Sequence, residues 1–196
     1  PRFAFFQVFQ PRGGGKRQAP TFDVVAPGIA KHEEEIVLAP GADPKSDPCL
    51  ALRAAVAAAE FGLPIAPGTL QNLKSCPIDD RTWNDESRSL FLRLLASGPA
   101  LLQVWEEIDF VDIPGRLIPE WLAIRNRPSA SAAHRYTIDR HSVEVVTRLG
   151  RETPRGNRYD DRHYQALLLA GILHDVGKRP GVFDHAAEGA RHASMV

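Results

Sequence analysis

The spacing of apolar positions along this chain changes near residue 46. From Thr21 to Ala39 the β-branched and aromatic residues Phe22, Val24, Val25, Ile29, Ile36 and Val37 flank Pro27-Gly28. Such residues favour pleated backbone and a Pro-Gly pair favours a turn, so residues 21–45 predict a short β hairpin. Beyond it apolar residues recur every three or four positions, the period of a helix packed on a core. Asp47-Pro48 reads as an N-cap with proline at the first helical position, and Gly62 and Pro64 end the alanine-rich helix that follows, Asp47 to Phe61. A second helix is predicted over Pro67 to Lys74. A third starts near Asp85 and carries Leu90, Phe91, Leu94 and Leu95 to Gly98-Pro99. Pro99 opens a fourth through Leu101, Leu102, Val104, Trp105 and Ile108, ending before Pro114-Gly115. Trp105 and Trp121 stand among aliphatic residues at helical spacing and are read as core.

The small and polar stretch from Arg127 to Ala133 is the best linker in the sequence. After it, a helix is predicted from near Thr137 through His141, Val143, Val145, Val146 and Leu149, with Asp139 in the first turn where the helix dipole favours an acid. Another follows from Asp161 to Asp175. Its residues Ala166 to Leu173 are apolar on nearly every side, which predicts the buried centre of a small bundle. The expected architecture is therefore mainly α: a small N-terminal hairpin at 21–45, a helical region at 46–128 and a second helical domain at 129–196. Residues 1–20, with Arg12-Gly13-Gly14-Gly15-Lys16-Arg17, show neither period and are expected to be a flexible lead-in.

Composition narrows the field. The 196 residues are 43% hydrophobic, enough for a core, and 24 basic residues balance 24 acidic ones, so no net field draws the chain to nucleic acid or an anionic membrane. Neither partner is expected. Cys49 and Cys76 are far apart, which suits neither a disulfide framework nor a cysteine zinc site, and no apolar run approaches the ~20 residues of a membrane span. The cytoplasm is the expected location. GGGK lacks the spacing of a phosphate loop, and Arg17 stands where Ser or Thr would bind magnesium. The chain begins at Pro1 and stops at Met195-Val196 in what reads as a helix, so it is expected to be a piece of something longer.

The chemistry gathers in the last third. Ionisable residues at the end of an apolar helix cost free energy unless paired or ligated, and His174-Asp175 sit there. Imidazole and carboxylate together suit zinc, iron or manganese, and His141 on the preceding helix would extend the set. Lys178, four residues after His174, would lie on the same face of a continuing helix and balance a phosphate's charge. Asp184-His185 offers a further imidazole. A metal held there would activate water against a phosphate ester. His32, His134, His163 and His192 are read as ordinary histidines, with His134 also a candidate for the rim of a substrate entrance.

The string His134-Arg135-Tyr136-Thr137-Ile138-Asp139-Arg140-His141, then Leu173-His174-Asp175-Val176-Gly177-Lys178 and Asp184-His185, resembles the HD domain of the bacterial bifunctional uridylyltransferase/uridylyl-removing enzymes that modify the PII nitrogen-regulatory protein. Asp47-Pro48, Ala96-Ser97-Gly98-Pro99 and Arg116-Leu117-Ile118-Pro119-Glu120-Trp121 resemble the helical region before that domain, so the likeness runs from about Val24 to Ala190. It implies a family in which an N-terminal nucleotidyltransferase domain attaches UMP to a tyrosine of PII. The HD domain removes that UMP by hydrolysis with Mg2+ or Mn2+, and C-terminal ACT domains sense glutamine. By position it implies that His141, His174 and Asp175 occupy the first three metal places and His185 a further one. Asp175 would also orient the attacking water, and Lys178 would offset phosphate charge. Uridylylated PII is then the partner and UMP the product. The Gly-Ser motif and paired aspartates of the transferase are missing, and the later HD ligands fall beyond Val196 in the family pattern. Two other readings are a free-standing HD phosphohydrolase acting on nucleotides, and an inactive interaction fragment.

Overall fold

The computed structural model describes residues 21–78, 83–129, 136–152, 162–179 and 181–193, apart from the side chains of residues 185, 192 and 193. The expectations for residues 1–20, for His134 and for most of the 127–133 linker lie outside these residues. The fold is mainly α, with one small sheet at its N-terminal end.

The expected hairpin is instead a three-stranded antiparallel meander: β1 (Asp23–Ala26), β2 (Ile29–His32) and β3 (Glu35–Leu38), in that order. Gly28 makes the first turn at φ +74, and a Cβ there would fall 2.6 Å from the Leu50 side chain, so glycine is required twice over. The second turn escapes prediction because Glu33 takes a positive φ of 52 with neither glycine nor asparagine to signal it. Ile29 and Ile36 point from the sheet into the core. The β3 backbone also bonds to the segment after the first helix, with Ile36 N–H donating to Pro64 O and Ala66 N–H to Ile36 O, both at 2.9 Å.

The first helix, α1 (Leu50–Phe61), starts three residues later than Asp47-Pro48 predicts. Asp47 is an anchor outside it: one carboxylate oxygen accepts from Cys49 N–H at 3.0 Å and the other pairs with Arg53 at 2.5 Å. Leu50 to Ala58 are buried apart from Arg53, and the many alanines let the sheet and the helix over residues 85–95 approach closely. Gly62 closes the helix in the left-handed conformation at φ 65. Then follow α2 (Pro67–Leu73), α3 (Asp85–Leu95) and α4 (Ala100–Phe110). Asn84 caps α3, its side-chain oxygen accepting from Ser87 N–H at 2.9 Å. α4 ends before Pro114-Gly115 as predicted, and that pair lies inside a further short helix, α5 (Ile113–Leu117), where proline at the second helical position has no N–H to satisfy. A 3-10 turn, Pro119–Ala123, seats Trp121 in the core against Trp105. Both tryptophans are core residues, as their spacing predicts.

The last helices are α6 (Ile138–Glu152), α7 (Arg162–Leu173) and α8 (His185–Ala193). The expectation that α7 forms the buried centre is corrected. Tyr164, Leu168, Gly171, Ile172 and Leu173 are buried, but Leu167 is 49% exposed and Ala166 and Ala170 face outward. Leucines alone do not bury a helix when neighbours cover only one face, and here α1 takes the central place.

One hydrophobic core runs from Ile29 in the sheet to Val176 beyond α7. A close backbone-to-backbone seam joins α6 to the turn before α4, where a Cβ on Gly150 would lie 2.8 Å from Gly98 N and 2.9 Å from Gly98 Cα. Gly150→Ala is therefore expected to cost about 1–3 kcal/mol in a denaturant melt, since backbone must move to admit one methyl. Gly68→Ala, in α2 with nothing within 4 Å, is the control and should be neutral or slightly stabilising. Equal melts for the two variants would refute the seam.

Candidate metal centre

Three residues on neighbouring elements meet where α6 crosses the end of α7. His141 lies in the first turn of α6, whose backbone starts with His141 N–H donating to Thr137 O at 2.8 Å. Val143 and Val146 of α6 are buried with Leu168 and Ile172 of α7, so the two helices are held by their apolar faces. Gly171 sets how close they come, because a Cβ there would stand 3.0 Å from Leu149 and 3.1 Å from Val146.

His174 is the residue directly after α7, and its Nδ1–H donates to Gly171 O at 2.8 Å. In the neutral ring that bond leaves the lone pair on Nε2, the nitrogen 3.4 Å from Asp175 Oδ2, and in the protonated ring Nε2–H faces that carboxylate as a donor. The His141 and His174 rings stand edge to face, with centroids 5.4 Å apart. Asp175 is only 5% exposed. One ligand atom from each of His141, His174 and Asp175 lies within 4.8 Å of the others. Ligand atoms at ~2.0–2.2 Å from a shared ion stand at most ~4.4 Å apart, so small ring rotations bring these three around a cation. Two imidazole nitrogens and a carboxylate oxygen form a donor set that fits a divalent transition ion.

The chain leaves α7 through turns rather than another helical turn, with Val176 N–H bonding to Leu173 O and Lys178 N–H to Asp175 O. Lys178 therefore reaches the site by a route different from the predicted helical face, its Nζ 2.8 Å from Asp175 Oδ2. Burial works to raise the Asp175 pKa, but hydrogen bonds from His174 and Lys178 outweigh it and hold the carboxyl at about 2. The same Asp175 bond raises the His174 pKa above its ordinary value, against the lowering effect of burial. Asp184 is the N-cap of α8, accepting from Ala187 N–H at 3.0 Å. α8 rests on the Gly177 turn, and Arg179 pairs with Glu188 across it. His185 is the first residue of α8, and its side chain lies outside the described ones. His32 is engaged elsewhere, its ring 3.1 Å from Thr21 O and packed on Phe22, and His163 is exposed near the start of α7.

Gly171 is the functional residue that sequence reasoning passes over. It offers the carbonyl that orients His174 and the missing Cβ that admits α6. A lone glycine within an apolar helix, one turn before a histidine, is the signal that could have found it.

A bifunctional uridylyltransferase/uridylyl-removing enzyme of Streptomyces coelicolor is 39% identical over 180 residues, which take in 91% of this chain. Enzymes of the same name from Mycobacterium tuberculosis and Corynebacterium glutamicum are 40% and 35% identical over 83% and 68% of it. The chain is homologous to a segment of the bifunctional uridylyltransferase/uridylyl-removing enzymes. It spans about a fifth of the length of these relatives. No family model matches the chain, and no solved structure matches it. Among the described residues, no helix is long and apolar enough to cross a membrane. Cys49 and Cys76 are buried free thiols, with burial pushing Cys76 up to about 11, so neither supplies a reactive thiolate beside the histidines.

Proposed function

We propose that this chain is the uridylyl-removing part of such an enzyme, hydrolysing the phosphodiester that joins UMP to a tyrosine of the PII nitrogen-regulatory protein. The observation that carries the proposal is the convergence of His141, His174 and Asp175 on one point. These three side chains would hold a divalent cation, Mg2+ or Mn2+, with the two imidazoles favouring Mn2+ and His185 as a further ligand. The bound cation would supply positive charge to the phosphodiester and make water a better nucleophile.

The chain's own groups fill the remaining roles. His174 is held by Gly171 O in the tautomer that offers Nε2. Asp175 is ionised throughout the physiological range and can accept a hydrogen bond from the attacking water, which orients it. The Lys178 ammonium stands at the rim of the site, where it offsets negative charge on the phosphate. Overall the bond from phosphorus to the tyrosine oxygen breaks, the water oxygen remains on phosphorus, and a proton ends on the phenol. UMP and unmodified PII are the products, and the cytoplasm is the proposed location.

The test is UMP release from uridylylated PII by the full-length gene product. Release is expected with Mn2+, is expected to stop when a chelator is added, and should return when Mn2+ is restored. Chelator-resistant release would remove the metal from the reading. Hydrolysis of free nucleotides with none of uridylylated PII would replace the substrate with that of a nucleotide phosphohydrolase.

A further inference from the structure

His141 lies in the first turn of α6, where a helix has few backbone bonds of its own, so the direction of that side chain depends on what holds the turn from outside. Two bonds do so. Ile138 N–H donates to Arg127 O at 2.9 Å, and Asn126 N–H donates to Asp139 Oδ2 at 2.8 Å. The turn that supplies these partners is itself fixed. Ile124 is fully buried, Arg127 N–H donates back to Ile124 O at 3.1 Å, and the Arg125 side chain is paired with Asp109 of α4 at 2.9 Å. Asn126 takes a left-handed φ of 54 among them, and its N–H faces α6.

An acid in the first turn of a helix ordinarily serves the dipole from the surface. Asp139 is instead 8% exposed and reaches the backbone of a separate segment. A bond made at a side-chain tip resists rotation of the helix, which a backbone bond close to the axis hardly does. Arg140 pairs with Glu106 of α4, but both side chains are long and in reach of water, so that pair holds the turn loosely. Rotation matters for His141, two residues on. Turning a helix by about 20° carries a side-chain tip, about 5–6 Å from the axis, through about 2 Å. A bond from a histidine to a divalent ion is no longer than that, ~2.0–2.2 Å. The ligand atoms of His141, His174 and Asp175 lie within 4.8 Å of one another, so they have no such distance to spare.

We propose that Asp139 is the positioning residue of the metal centre: its bond to Asn126 N–H sets the angle at which α6 presents His141 to His174 and Asp175. The turn at 124–127, which supplies none of the ligands, is then part of the site. For the cation this role rests on the metal centre proposed above; for the contact between the two histidine rings it needs neither metal nor substrate.

The test compares this chain with Asp139→Ala, Asp139→Asn and Leu94→Ala, all well below their melting temperatures. Without metal, nuclear Overhauser contacts between the His141 and His174 rings, whose centroids are 5.4 Å apart, should be present in the unaltered chain and weakened in Asp139→Ala. Asp139→Asn, which retains an oxygen acceptor, should keep them. With Mn2+, equilibrium dialysis should show affinity about 10–100-fold lower for Asp139→Ala, the usual scale for a partner that orients a ligand, and close to that of the unaltered chain for Asp139→Asn. Leu94→Ala, which costs stability on α3, should keep both ring contacts and affinity. If Asp139→Ala does not fold, Asp139→Ser, polar but too short to reach Asn126 N–H, takes its place. Unchanged ring contacts or unchanged Mn2+ affinity in that variant would overturn the proposal, and so would an equal loss in Leu94→Ala or in Asp139→Asn. An unaltered chain that shows the ring contacts but binds no Mn2+ would remove the metal instead, and the ring contacts of the variants would then decide the role of Asp139.

Discussion

Asp175→Ala is expected to abolish UMP release from uridylylated PII while leaving the fold intact. The carboxylate is the most buried of the three converging groups, and it is the only anionic one. Without it, two neutral imidazoles remain to hold a dication next to the Lys178 ammonium, and that repulsion opposes binding. Equilibrium dialysis with Mn2+ should therefore show binding lost together with activity. Stability should change little, because Lys178 and His174 are partly exposed and can turn to water. Lys178→Met is the informative contrast. It should retain Mn2+ but release UMP about 10²–10³-fold more slowly, the usual scale for removing one charge-stabilising group. UMP release at the normal rate by Asp175→Ala would show that the converging residues are not the catalytic centre.

Leu94→Ala is expected to produce the largest loss of stability, about 2–5 kcal/mol, or roughly 5–20 °C of melting temperature. Leu94 is fully buried on α3, within the core formed around α1. Removing its branched end leaves a cavity that the many short alanine side chains of α1 cannot extend to fill. Leu167→Ala, on the outward face of α7, should stay within about 0.5 kcal/mol. The two leucines cannot be ranked from sequence, since Leu167 sits in the more apolar stretch. Similar melts for both would mean that the burial assigned to α3 and α7 is wrong.

The contrast shows where sequence pattern informs and where it does not. Helix positions follow from periodicity and caps: α2 and α4 lie close to where Pro67 and Pro99 predict them. What periodicity cannot report is how many neighbours a helix has, and this is why α7 reads as a centre and folds as a flank. Turns are visible only when their residue type is unusual. Gly28 announces its bend, whereas Glu33 reaches a positive φ because the sheet around it demands one. Asn84 caps α3 unannounced, next to the Asp85 that pattern names as the helix start. In the candidate site, His141, His174 and Asp175 are legible because polar residues at the end of an apolar helix need a reason to be there. Gly171 is not, because its contribution is a carbonyl and an absent methyl, neither of which is written as a chemical group in the sequence. Lys178 shows a third case, in which the residue is legible and its path is not.

The contact between Gly98 and Gly150 bears on how this protein can change over generations. Gly150 has no room for a methyl against the Gly98 backbone, and Gly98 holds a left-handed φ of +63 that side chains disfavour, so the two glycines are kept for different reasons at one contact. A recombination event that joined the elements carrying His141 and His174 to a foreign α3–α4 turn would disturb the contact with Gly150 unless the donor turn followed the same left-handed path at that position. The segment that travels intact through evolution is therefore longer than the residues around the histidines, and it must include the turn at Gly98.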